Sequence, residues 1–165
     1  MRARTRTGYC VIVAIGGLLA SAAAFADPPD QFVKKAIQGN IAEVKMGELA
    51  QKNGGSDGVK SFGKMLETDH GKAKDQTVAL AKTMNIDPPT EPAADAKTTY
   101  DKMAKLKGAE FDKEFAHHMV MDHKTDIAEY EEEAKEKGNA QVSKYASDTL
   151  PTLKKHLQTA EALDK

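Results

Sequence analysis

Of the five histidines in this chain, His70, His123 and His156 combine a residue type and a spacing from which a metal site can be built. A neutral imidazole gives one ring nitrogen to Zn, Cu, Ni or Fe and keeps its other N–H for an acceptor that orients the ring. With about 100° of turn per helical residue, His70 falls near the middle of an apolar arc of Val59, Phe62, Leu66 and Ala73. His123 falls similarly among Phe111, Phe115, Met119 and Ile127, and His156 among Leu150, Leu153 and Ala160. All three therefore point at a core. His117 and His118 fall on the flank or back of their helix and read as solvated. Glu114 and His117 have a ligand-like Glu-x-x-His spacing, but both project away from the Phe111, Phe115 and Met119 stripe.

Glu43 is the fourth candidate ligand, at the edge of an arc whose small members Ala36, Gly47 and Ala50 would let another helix approach closely. Depth supports convergence. At about 1.5 Å per residue, Glu43 and His70 lie roughly 17 and 23 Å from the first interhelical turn, and His123 and His156 roughly 23 and 26 Å from the second. An internal echo joins two of these helices: Phe62-x6-Asp69-His70 repeats as Phe115-x6-Asp122-His123. Asp69 and Asp122 diverge in direction from the neighbouring histidines and are candidates to orient them, while Glu67 and Asp126 lie one turn away on the flanks. Three imidazoles and one carboxylate suit a single divalent ion of Zn, Cu, Ni or Fe. The plainer alternative is three neutral core histidines hydrogen-bonded to Asp69, Asp122, Asp126 or Thr149.

Four long amphipathic stretches must position these groups. The first runs from about Pro29 to Lys52 and stops at Asn53-Gly54-Gly55; the second starts after Ser56, a natural N-cap, and ends before Asp87-Pro88-Pro89. The third spans about Ala109 to Lys137 with Gly138 as its expected C-cap, and the fourth starts at Asn139 and holds Pro151, expected to bend it. Short joints fold the first with the second, and the third with the fourth, as antiparallel pairs. The connector between the pairs, with a short helix around Tyr100, Met103 and Leu106, could turn locally or run the length of the bundle. Met65, Met84 and Met119 read as core filling, and the acidic and basic run from Glu131 to Lys137 as a solvated helix face.

The N-terminus predicts export. Arg2, Arg4 and Arg6 precede an apolar run from Tyr9 to Ala20, and Ala24-Phe25-Ala26 has small residues at both cleavage-recognition positions. That run, about a dozen residues, is shorter than the roughly 20 needed to span a bilayer. The expected organisation is a signal over residues 1–26 and one four-helix-bundle domain over residues 27–165, placed in the periplasm or at the outer membrane. Cys10, the chain's one cysteine, lies within the signal, which excludes disulfides and thiolate metal sites from the rest. All three arginines are there too. Of 24 basic residues this leaves 21 lysines against 25 acids, an arginine-free acidic surface that argues against nucleic acid. No nucleotide-binding loop or serine or cysteine nucleophile motif is present.

Glu43, the two Asp-His pairs, Gly108-x2-Phe111-Asp112 and Leu150-Pro151-x4-His156-Leu157 together resemble the bacterial domain-of-unknown-function family 4142. The resemblance covers essentially all of the chain after the signal. It implies an all-α, ferritin-like antiparallel four-helix bundle, exported and often labelled an outer-membrane protein, with no established reaction. A ferritin-like di-iron site uses a glutamate from each of two helices and a Glu-x-x-His from each of the others. Glu43 and Glu67-x2-His70 fit half of that pattern, whereas Leu153 stands where the second carboxylate would be needed. A single-ion site is thus expected in place of oxygen-activating dinuclear chemistry. The competing function is a non-catalytic envelope stress or interaction scaffold with structural core histidines, for which the sequence identifies neither an envelope partner nor an oligomeric state.

Overall fold

The computed structural model describes residues 27–165, and the segment read as an export signal lies outside the described residues. The described chain is all-α, with α1 (Pro29–Asn53), α2 (Asp57–Thr83), α3 (Ala94–Met103), α4 (Gly108–Glu133) and α5 (Ala140–Leu163). None of these helices is long and apolar enough to cross a membrane. The four long helices match the four amphipathic stretches, and α3 is the short helix of the connector. The count is therefore five, and Leu106 lies in the turn after α3.

The helix ends show where local signals acted. Ser56 accepts a hydrogen bond from the Val59 N–H, and the Asn139 side chain accepts from the Gln141 and Val142 N–H groups, so both N-caps behave as their residue types predict. The C-caps differ from expectation. Gly54 (φ −59°) is not left-handed, and among the described residues only Asn85 (57°) and Gly108 (61°) have positive φ. Asn85 ends α2 as a left-handed cap, with Ile86 N–H donating to the Ala81 carbonyl (2.9 Å) and Asn85 N–H to that of Lys82 (3.2 Å). Helix α4 stops at Glu133, short of Gly138, because the chain tightens into bonds from Lys135 to Glu132 and from Glu136 to Glu133. The Ser143 hydroxyl of α5 then binds the Glu136 carbonyl at 2.6 Å. Pro151 lies inside α5, which runs unbroken across it.

Contacts along the helices fix their directions. Gln51 meets Glu67, Gly47 meets Gly63 and Asn40 meets His70, so α1 and α2 run oppositely. Their closest approach has no room for side chains: a Cβ on Gly47 would lie 2.5 Å from the Gly63 carbonyl oxygen, and one on Gly63 2.6 Å from that of Gly47. The pairs His117 with Asp164 and Glu131 with Lys154 set α4 against α5 in the same opposed sense. Phe32 stacks edge-on to Tyr130, while Gly55 and Ser56, just after α1, reach Asp112, which opposes α4 to α1. The segment from Thr83 to Gly108 consequently travels the length of the helices. On the way Lys45 pairs with Glu91, and the Asn53 side chain donates to the carbonyls of Ala104 and Leu106.

Two apolar clusters fill the interior. One contains Met46, Phe62, Leu66, Phe111, Phe115 and Met119. The other contains Phe32, Ile37, Ala81, Tyr130, Val142 and Leu153. Every long helix changes from one cluster to the other near its middle, and the residues at the crossing are polar: Asn40 and Glu43 in α1, His70 in α2, His123 in α4 and His156 in α5. A buried polar layer thus divides the core.

Candidate metal centre

The three rings meet in that layer. His70 is 5% exposed and His123 and His156 are fully enclosed. Their centroids lie 5.1 Å apart for His70 and His156, 5.4 Å for His123 and His156, and 5.8 Å for His70 and His123. Each ring is held through one nitrogen by a different acceptor. His70 Nδ1 lies 2.9 Å from Asn40 Oδ1, His123 Nδ1 lies 3.0 Å from the Met119 carbonyl oxygen, and His156 Nε2 lies 3.2 Å from Asp69 Oδ2. These acceptors assign the proton to the outer nitrogen of each ring. The inner nitrogens, His70 Nε2, His123 Nε2 and His156 Nδ1, then present lone pairs to a common space.

Two observations show that the inner nitrogens are not satisfied by the protein. His70 Nε2 is buried with no hydrogen-bond partner. His123 Nε2 and His156 Nδ1 face each other at 3.4 Å, and with both protons on the outer nitrogens neither has one to donate. That separation has a geometric meaning: two nitrogens bound at about 2.1 Å to one tetrahedral ion stand about 3.4 Å apart. The three histidines each offer a nitrogen, all within 4.8 Å of one another. Burial lowers the His70 pKa well below the ordinary histidine value, with His156 and His123 adding to the effect. Burial, then His156, brings His123 down to about 4, and burial lowers His156 against the opposing pull of Asp69. At neutral pH all three rings are therefore uncharged and free to donate lone pairs.

A second, acidic group adjoins the first. Glu43 is 4% exposed and its Oε2 has no partner. Glu43, Asp122 and His123 offer donor atoms that also lie within 4.8 Å of one another. Burial raises the Glu43 pKa well above the carboxylate range, followed by the nearby Asp122 and Asp126. Asp126 is pushed up to about 8 by burial, then by Asp122 and Glu129. The space beside these groups measures about 170 Å³ and is lined by Glu43, Asp122 and Asp126 together with Asp95, Thr99 and His118 of its outer rim.

A family model described as "Domain of unknown function (DUF4142)" matches residues 18–163, which include all five helices and the whole polar layer. The chain belongs to this family. No curated protein and no solved structure matches it. In this DUF4142 chain the Gly108-x2-Phe111-Asp112 motif works as a clasp at one end. Gly108 lies against Gly55 so closely that a Cβ on Gly55 would be 2.8 Å from the Gly108 Cα, and Phe111 is fully buried. The Asp112 carboxylate accepts from the Gly55 and Ser56 N–H groups, each at 2.8 Å.

The structure divides the residues expected to share one site. His70, His123 and His156 converge, and Glu43 groups with Asp122 beside His123. Asp69 orients His156. Glu67 faces away from the histidines, its carboxylate taken by Gln51 (2.9 Å) and Lys64 (3.0 Å). His117 lies exposed beside Asp164. Asn40 and the Met119 carbonyl are functional groups that sequence reasoning missed. Asn40 lies buried on the inward face of α1, where an amide needs a partner. It bridges His70 and the Tyr145 hydroxyl, 3.3 Å away, which also lies 2.8 Å from Thr77 Oγ1.

Proposed function

We propose that this DUF4142 chain is an exported, ferritin-like antiparallel four-helix bundle that binds one divalent transition metal ion through His70 Nε2, His123 Nε2 and His156 Nδ1. The bundle reading is supported by four long helices in two opposed pairs joined by one lengthwise crossover, the connectivity of ferritin-like folds. The metal reading is carried by one observation. Three neutral imidazoles are fixed from outside by Asn40, Met119 and Asp69 while their inner nitrogens share a buried space without protons. A purely structural role accounts for the three outer contacts but leaves His70 Nε2 buried and unpaired, at a cost of about 1–3 kcal/mol.

Three nitrogen donors select Zn, Cu, Ni or Fe over Mg or Ca, and a fourth position is left for water or a further ligand. The reading is one of metal holding, as a carrier or sensor, with no reaction assigned. Calorimetric titration of the purified protein with each of the four ions tests it, with His70→Ala and His123→Ala alongside. Tight one-to-one binding that both substitutions abolish supports the site; a wild-type protein that binds none of the ions sinks it. The export reading rests on the Arg2 to Ala26 segment and places the protein in the periplasm or at the outer membrane. Cell fractionation with N-terminal sequencing checks it, a start at Asp27 being the expected result and an uncleaved cytosolic chain the contrary one.

A further inference from the structure

The acidic group beside the histidines has features that the three-imidazole site does not use. Glu43 comes from α1 and Asp122 from α4, so two helices deliver carboxylates to one buried place, and His123 stands at its edge. Glu43 Oε2 is enclosed and unpartnered, and it lines the same 170 Å³ space as Asp122 and Asp126. Among the described residues, none of these three acids is ion-paired with a lysine. An ion there would give Glu43 Oε2, enclosed beside two further acids and no lysine, the partner it lacks.

We propose that Glu43 and Asp122, with Asp126 beside them, form a second cation site that adjoins the imidazole site at His123 and takes a hard, oxygen-preferring divalent ion of the Mn2+ class. The donors decide the class. Carboxylates with water match Mn2+, whereas the nitrogen-only site next to it favours Zn or Cu. The adjoining space has room for the water molecules that complete a six-coordinate shell. Asp95 and His118 at the rim mark the side from which a hydrated ion arrives.

The test is Mn2+ titration followed by loss of the free-ion electron paramagnetic resonance signal, on the full-length protein preloaded with one equivalent of Zn2+. The expected result is one Mn2+ per chain. Glu43→Gln and Asp122→Asn, which keep shape and remove charge on two different helices, should each weaken Mn2+ binding by at least the roughly 10–100-fold that loss of even a supporting partner costs. Thermal melting of each variant confirms that it folds. His70→Ala and His156→Ala should keep Mn2+ while losing Zn2+, so the two sites fail separately. The proposal is overturned if the wild type binds no Mn2+, if both carboxamide variants bind it as tightly as the wild type, or if His70→Ala abolishes it.

Discussion

The clasp at one end of the helices and the polar layer at their middle are both built from polar side chains within an apolar frame, yet their hydrogen-bond accounts differ. At the clasp every invested group is matched: Asp112 takes two backbone N–H groups, and Asn53 gives to two carbonyls. In the polar layer the outer atoms are matched and the inner ones are not, with His70 Nε2 and Glu43 Oε2 both buried and alone. Matched polar groups hold chain segments together, because each removes a backbone group from water at no loss of bonding. Buried groups left without partners destabilise the fold; of the four such atoms among the described residues, His70 Nε2 and Glu43 Oε2 lie in this layer, and the other two belong to Glu133 at the end of α4.

The sharpest way to break this contrast is to remove a middle-layer ring. His123→Ala is expected to lower Zn2+ affinity by at least about 100-fold, read by competition with a chromophoric chelator, since it deletes one of three donors. In wild type, Zn2+ at about 100 times its Kd should raise unfolding stability by about 2.7 kcal/mol, and His123→Ala should abolish that gain.

Next comes pH. His123 is held at about 4, below the histidine value of 6.5, so between those limits the unfolded chain binds more protons than the folded one. Stability of the metal-free protein should accordingly fall as pH drops from 6.5 toward 4, by on the order of 3 kcal/mol from this group. Asp126, raised from 3.8 to about 8, acts oppositely: the folded chain binds the extra proton, and stability is lost as pH rises through that range. Urea unfolding of wild type at several pH values in chelator reads the sum of these opposed slopes, and the difference between wild type and His123→Ala isolates the ring's share. A pH dependence that persists unchanged in His123→Ala would count against the neutral buried ring.

Backbone packing should have an effect that leaves the site chemistry alone. Gly47→Ala forces a Cβ against the Gly63 carbonyl oxygen and the Glu67 amide of α2, and should destabilise by about 1–3 kcal/mol in thermal melts. Smallest of all, Asp112→Ala removes the clasp's two charge-assisted bonds, for about 1–2 kcal/mol because the site is solvent-exposed. Its Zn2+ affinity should stay within about twofold of wild type, as distant independent sites behave additively. A large loss of Zn2+ binding in Asp112→Ala would erase the distinction between the two regions.

Much of this arrangement was legible in the sequence because helical period is a local property. Phe62, Leu66, Phe115 and Leu153 were placed inward by spacing alone, and the same phase sent His70, His123 and His156 to the core and His117 to solvent. The N-caps at Ser56 and Asn139 were legible for the same reason, since a cap involves atoms only a few residues apart. C-terminal caps were less so. Gly138 was available, but α4 ends at Glu133 in the tightened bonds from Lys135 and Glu136, Ser143 of the next helix binds the Glu136 carbonyl, and Asn85 took the left-handed role usually given to glycine.

What the sequence determined by itself was the set of helices, the face each turns inward and the approximate depth of each histidine. Only the tertiary structure decided that Glu43 joins Asp122 beside His123, that Glu67 turns to Gln51, and that the connector runs lengthwise. It also decided which ring nitrogen is bare, because the acceptors that fix the protons can come from far along the chain: His70 and Asn40 are 30 residues apart, His156 and Asp69 are 87. A residue's direction follows from its own helix, whereas its hydrogen-bond partner depends on how helices rotate and slide against one another, and that is settled by packing across the whole core.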